Sequence, residues 1–113
     1  ELGVVVENGM LLFRPVLLRA SEFVSEPKTV VYTDLNGTEK TIHLQNNQLF
    51  FTYCQVPVIY KLSDDHKTDI TYSSGKHIQY DGTSLNQTDS NSLFERTGEI
   101  EKIEVCISRN ILK

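Results

Sequence analysis

Apolar and polar residues alternate with a period of two along most of this chain, and glycine or asparagine interrupts the alternation at short intervals. That pattern predicts short strands joined by tight turns, and no long stretch carries the repeat of an amphipathic helix. Three segments share one grammar: Val4-Val5-Val6, Glu7-Asn8-Gly9, Met10-Leu11-Leu12; Val30-Val31-Tyr32, Leu35-Asn36-Gly37, Ile42-His43-Leu44; and Ile70-Thr71-Tyr72, Ser73-Ser74-Gly75, His77-Ile78-Gln79-Tyr80. Each reads as a β-hairpin. A two-residue loop at Asn36-Gly37 would pair Val30 with His43, whereas a three-residue loop Leu35-Asn36-Gly37 pairs Val30 with Ile42 and keeps Tyr32 and Leu44 on the same face. The second register gathers the apolar side chains. The same choice pairs Val4 with Leu12 and Ile70 with Ile78, with a left-handed glycine at the bulge position of each turn.

Within Gln48 to Leu62 the chain is apolar on both faces through Leu49-Phe50-Phe51, which predicts a strand covered on two sides. Pro57 cannot donate to a ladder, so it is expected at an edge, a bulge or a corner between two sheets, with the corner fitting best. The polar connection from Asp81 to Thr97 leaves room for one helical turn, Ser92 to Arg96, capped by Asp89 or Ser90 and ended at Gly98. In the last strand Ile103, Val105 and Ile107 face one way, and Lys102, Glu104 and Cys106 the other. The fold class expected is therefore all-β: an antiparallel β-sandwich built from consecutive hairpins, with at most one short helical turn near residues 90–96.

The stretch Phe13 to Phe23 breaks the alternation. Pro15 interrupts pairing, and Val16, Leu17, Leu18 and Phe23 either fold back on this domain or form a surface for a neighbouring one.

Composition adds bounds. A chain of 113 residues holds one domain, 1–113. It begins at Glu1 without an initiator methionine, which reads as a mature product or a piece excised from a longer protein. With 11 Lys+Arg against 15 Asp+Glu, net charge −4, no basic stripe is present, so nucleic acid and anionic membranes are not expected partners. The apolar runs are shorter than the roughly 18 residues of a spanning helix. Cys54 and Cys106 lie far apart, match neither a zinc ribbon nor a redox pair, and are expected as two buried thiols.

The search for chemistry finds no constellation. His43, His66 and His77 share no ligand spacing, so no metal site is expected. Asp64, Asp65 and Asp69 lack the spacing and the glycine of a calcium loop and read as a charged turn. No phosphate loop, nucleophile elbow or Cys/His pair occurs, so no catalytic residue and no cofactor is assigned. The tyrosines, Tyr32, Tyr53, Tyr60, Tyr72 and Tyr80, mostly alternate into the core pattern, with hydroxyls expected at sheet rims. A sugar platform would need two aromatics on one solvent face, and only Tyr32 or Tyr72 is available for it.

The opening Leu2-Gly3-Val4-Val5-Val6-Glu7-Asn8-Gly9-Met10-Leu11-Leu12-Phe13-Arg14-Pro15-Val16-Leu17-Leu18 resembles the start of the small C-terminal β-domain of bacterial glycoside hydrolases and phosphorylases with a helical-barrel catalytic domain. Leu49 to Val58, Ile70-Thr71-Tyr72 and Ile103-Glu104-Val105 are similar to the strands of such a cap. The resemblance implies a non-catalytic accessory domain packed on the preceding helical barrel of the same chain, since catalysis in those families resides in the barrel. Phe13, Val16, Leu17, Leu18 and Phe23 are then the expected docking residues. The alternative is an independent carbohydrate-binding or adhesion module. The polar Asp81–Asn91 stretch and the paired Phe50-Phe51 have no counterpart in that resemblance.

Overall fold

Nine strands and one eight-residue helix run through residues 3–16 and 18–112, the part described by the computed structural model. The chain is all-β. Strands β1 (Val4–Glu7) and β2 (Met10–Phe13), β3 (Lys28–Thr33) and β4 (Glu39–Leu44), β5 (Gln48–Tyr53) and β6 (Val56–Ser63), and β7 (Lys67–Tyr72) and β8 (His77–Asp81) form four consecutive antiparallel hairpins. Helix α1 (Gln87–Phe94) and the long β9 (Ile100–Ser108) follow.

The largest sheet has the order β5-β6-β9-β7-β8. The last strand thus slots between two hairpins, antiparallel to β7 but parallel to β6, the one departure from the antiparallel scheme among the described strands. Its composition suits that central place. Ile103, Val105 and Ile107 are fully buried on one face, and Lys102, Glu104 and Cys106 lie on the other, as the alternation predicts.

A second layer covers the apolar face of this sheet. It consists of β1–β2, extended by backbone bonds from Phe13 N to Thr83 O and Leu85 N to Leu11 O, together with α1. Between the layers pack Leu11, Phe13, Leu18, Phe23, Val58, Tyr60, Ile70, Leu85 and Leu93. Phe13 and Phe51 both meet the Tyr60 ring edge-on, at centroid distances of 6.1 and 5.1 Å. Hairpin β3–β4 lies over the opposite face, where Tyr32 contacts Phe50 at 5.8 Å. The cover on two sides expected at Leu49-Phe50-Phe51 is present, with Leu49 and Phe51 on the core, Phe50 against Tyr32 and all three half-buried, while the neighbouring β6 is the strand fully buried on both sides, from Val56 to Tyr60.

Two of the three expected registers are present, Val30 opposite Ile42 and Ile70 opposite Ile78, with Gly37 and Gly75 left-handed at the end of three-residue loops. Val4 does not pair with Leu12. It pairs with Phe13, because Asn8 and Gly9 form a two-residue turn with φ of 54° and 77°, the mirror-image geometry that suits strand twist. This register puts Leu11 and Phe13 inward with Val4. Nor is Pro57 a corner. Cys54 and Gln55, at φ 51° and 65°, make another tight turn, and Pro57 stands opposite Thr52, one position before the β6–β9 ladder begins at Val58.

The helix also begins earlier than the expected turn, and its cap is Asn86 rather than Asp89 or Ser90. The Asn86 side chain accepts the Asp89 N–H at 2.8 Å. Asp89 and Ser90 are thereby freed for contacts across the core. At the other end Arg96, at φ 51°, turns the chain out of the helix before Gly98 is reached.

Glycine identity is decisive at Gly3, where φ is +81° and a Cβ would collide with the backbone of Arg14 and Pro15. Gly37 has a similar φ of +79° but open space around it. Gly37→Ala is expected to lose about 1–2 kcal/mol from the left-handed conformation alone. Gly3→Ala adds overlap with rigid backbone, for a total of about 2–5 kcal/mol. Urea denaturation of both variants checks this, and equal losses would contradict the steric reading.

Candidate functional site

Five side chains were expected to form a docking surface, and the fold separates them. Phe13, Leu18 and Phe23 are at most 5% exposed and belong to the core of this chain, covered by β6 and β9. They fold back on their own domain. Val16 is 45% exposed, and Leu17 lies outside the described residues.

The exposed apolar surface nearest to that segment lies on the first hairpin instead. Residues that face each other across β1–β2 share a side, so Val4, Val6, Leu11 and Phe13 are on the inner face and Val5, Met10 and Leu12 on the outer. Val5 and Leu12 are half-buried, and Met10 is exposed. Glu7 and Arg14 form an ion pair at 3.8 Å on the same outer face. With both partners about half exposed, it adds little stability but frames the apolar strip with charge. Val6, near the turn, is 51% exposed. Gly3 sets the start of this hairpin, and the Asn8–Gly9 turn sets its end.

The large sheet has a polar outer face on its other half. Lys61 and Lys102 both bond Glu104, while Asp69 accepts from the Gln79 amide at 2.9 Å and faces His77 Nε2 at 3.5 Å. Asp69 and Glu104 are direct cross-strand neighbours, and Lys61 and Lys102 beside Glu104 offset their repulsion. Asp64 and Asp65 stand exposed in the β6–β7 turn, so the three aspartates do not line one cleft. His43 pairs with Thr29 Oγ1 at 3.1 Å on the exposed surface, and His66 occupies a turn. Among the described residues no group of three His, Cys, Asp or Glu could hold a metal ion.

The cysteines differ from the expectation of two buried thiols. Cys54 is a half-buried turn residue, and Cys106 is half-buried on the polar sheet face, where burial pushes its thiol pKa up.

The feature that sequence reasoning missed is a buried polar clasp. Asp89, 5% exposed, accepts the hydroxyl protons of Tyr72 and Tyr80, both at 2.7 Å, and Asn86 Nδ2 donates to the Tyr80 oxygen at 2.8 Å. Tyr72 is thus no solvent platform, because its ring packs on the core and its hydroxyl is engaged. Burial first, then the bond to the Asp89 carboxylate, raise both phenolic pKa values above their ordinary range. Burial alone does the same for Tyr60. The available signal was the Asn86-x-x-Asp89 spacing, which places a cap and leaves the aspartate side chain free to turn inward. The clasp is a structural element that fixes α1 on β7 and β8.

No family model matches the chain, and no curated protein matches it.

The raised phenolic pKa values have a signed consequence. A tyrosine whose folded-state pKa exceeds its unfolded value holds its proton in the folded state at pH values where the unfolded chain has released it. Stability is therefore full below the ordinary tyrosine value of about 10 and falls as pH rises above it. Absorbance of phenolate during a pH titration should remain low for Tyr60, Tyr72 and Tyr80 until the fold itself is lost. Reversible ionisation of all five tyrosines near the ordinary value, with native circular dichroism retained, would contradict the clasp.

Proposed function

We propose that this chain is a non-catalytic accessory β-domain that packs on the catalytic helical barrel of a carbohydrate-active enzyme. The observation that supports the reading is the outer face of β1–β2, where Val5, Met10 and Leu12 present an apolar strip framed by Glu7 and Arg14. This hairpin belongs to the segment whose residues resemble the start of such caps, and it precedes the strands that close the core. Docking through it leaves the core untouched. The contact residues are then Val5, Met10, Leu12 and Val16 rather than Phe13, Leu18 and Phe23, whose side chains the domain uses internally.

Interfaces between domains of one chain bury about 600–1,500 Å² and are more polar than obligate ones. An apolar strip with a charged frame matches that character. Removing the central leucine methyls and adding a charge at Leu12 would oppose packing without touching the buried side chains.

The test is a calorimetric titration of this chain with the barrel domain encoded by the same gene. Association in the micromolar range is expected, weakened at least tenfold by Leu12→Lys, with Val31→Lys on the remote β3–β4 hairpin as a control that leaves it unchanged. A gene that encodes no barrel, or a barrel that shows no heat of binding, would overturn the proposal.

A further inference from the structure

A groove of about 260 Å³ opens between three turns, distant in sequence from the docking hairpin. Half-exposed Tyr32 and Leu35 form its apolar wall over buried Pro57, and Asn36, Lys40, Gln55 and Glu101 supply its polar rim. The Tyr32 ring is braced against Phe50, so the wall is rigid. Asp34 organises the rim. Its Oδ1 accepts the backbone N–H groups of Asn36 and Thr38, each at 2.9 Å, and its other oxygen faces Lys40 at 3.6 Å.

Gln55 sits there at a cost. It and Cys54 occupy a two-residue turn with φ of 65° and 51°, a conformation that favours asparagine and glycine and is unfavourable for other residues by roughly 1–2 kcal/mol each. The β5–β6 pairing imposes that backbone, and a glutamine where glycine or asparagine would be less strained puts an amide side chain at the groove. No side-chain hydrogen bond joins Tyr32, Gln55 or Glu101 to another described residue, so their donors and acceptors are available to a ligand.

We propose that this groove binds one neutral polyhydroxylated ring, a pyranose unit, with its C–H face on Tyr32 and Leu35 and its hydroxyls on the Gln55 and Asn36 amides and the Glu101 carboxylate. Chemistry selects the class. The Asp34–Lys40 pair is internally balanced, and the remaining Glu101 charge repels anions. A purely apolar ring would leave the amides and the carboxylate desolvated without partners, which is unfavourable. The volume is below the range of about 300–1,000 Å³ usual for drug-sized ligands and fits a single ring. This site uses residues separate from β1–β2, so it stands whether or not the docking reading holds.

The experiment is an amide-resolved NMR titration of the whole chain with methyl glucopyranoside, methyl galactopyranoside and methyl mannopyranoside. At least one is expected to shift the Asn36, Gln55 and Glu101 amides saturably with millimolar affinity. Gln55→Gly relieves the turn, so its melting temperature rises while its affinity falls at least fivefold. Glu101→Gln preserves the fold and also weakens binding. Absence of saturable shifts with all three glycosides would overturn the proposal, as would a Gln55→Gly variant that binds as tightly as the parent.

Discussion

The carboxylate of Asp89 is the constraint on which the two layers depend. A carboxylate with so little exposure to water is tolerated only if its lone pairs are satisfied. Here the satisfaction comes from the hydroxyls of Tyr72 and Tyr80, on two adjacent strands. The next residue, Ser90, accepts the Leu11 N–H at 2.9 Å from the other layer. Two consecutive side chains on the first turns of α1 therefore hold both layers at once. A helix of eight residues would be unstable alone, since nucleation is unfavourable and the helix is too short to recover it. Tertiary anchoring, with the Asn86 cap and Leu93 in the core, is what makes it form. The acidic side chain near the helix N-terminus is also favourably placed with respect to the peptide dipoles.

Much of the fold was legible because strand alternation is a local signal. Val30 opposite Ile42, Ile70 opposite Ile78, and the inward Ile103, Val105 and Ile107 all follow from burying one face of a pleated strand. What failed was turn chemistry at fixed pattern. Asn8-Gly9 and Asn36-Gly37 are the same dipeptide, but the first makes a two-residue turn and the second ends a three-residue one, because Asp34 accepts two backbone N–H groups and widens that loop. Cys54-Gln55 carries no turn signal at all. Its left-handed geometry is imposed by the pairing of β5 with β6, in which tertiary packing overrides local preference. The parallel neighbour of β6 was equally hidden, since sequence distance between β6 and β9 leaves no local trace.

The candidate surfaces were less legible than the fold, for a related reason. Periodicity tells which residues face inward on a regular strand, but Phe13, Leu18 and Phe23 surround a proline-broken segment where no period applies. Only the three-dimensional packing separates the buried trio from exposed Val16. In the same way Asp89, read locally, is a helix-capping residue; its partners are 17 and 9 positions away on other elements. The apolar strip of β1–β2 and the groove beside Tyr32 emerge from the hairpins once register and turn type are known. Neither uses a residue of the clasp, although β2 is itself tied to α1 by the bond from Leu11 N–H to Ser90.

The most direct measurement of the clasp is a thermodynamic comparison of four proteins by urea denaturation: the parent, Asp89→Ala, Tyr72→Phe/Tyr80→Phe, and the triple variant that carries Asp89→Leu with both phenylalanines. If Asp89 secures the helix, Asp89→Ala loses about 2–4 kcal/mol by leaving two hydroxyls unsatisfied. The double phenylalanine variant loses a comparable amount by leaving the carboxylate without donors, and the triple variant recovers much of the loss because no buried polar group of the clasp remains, the exposed Asn86 amide turning to water. Additive losses across the set, or an Asp89→Ala variant within about 0.5 kcal/mol of the parent, would contradict the central place given to this carboxylate.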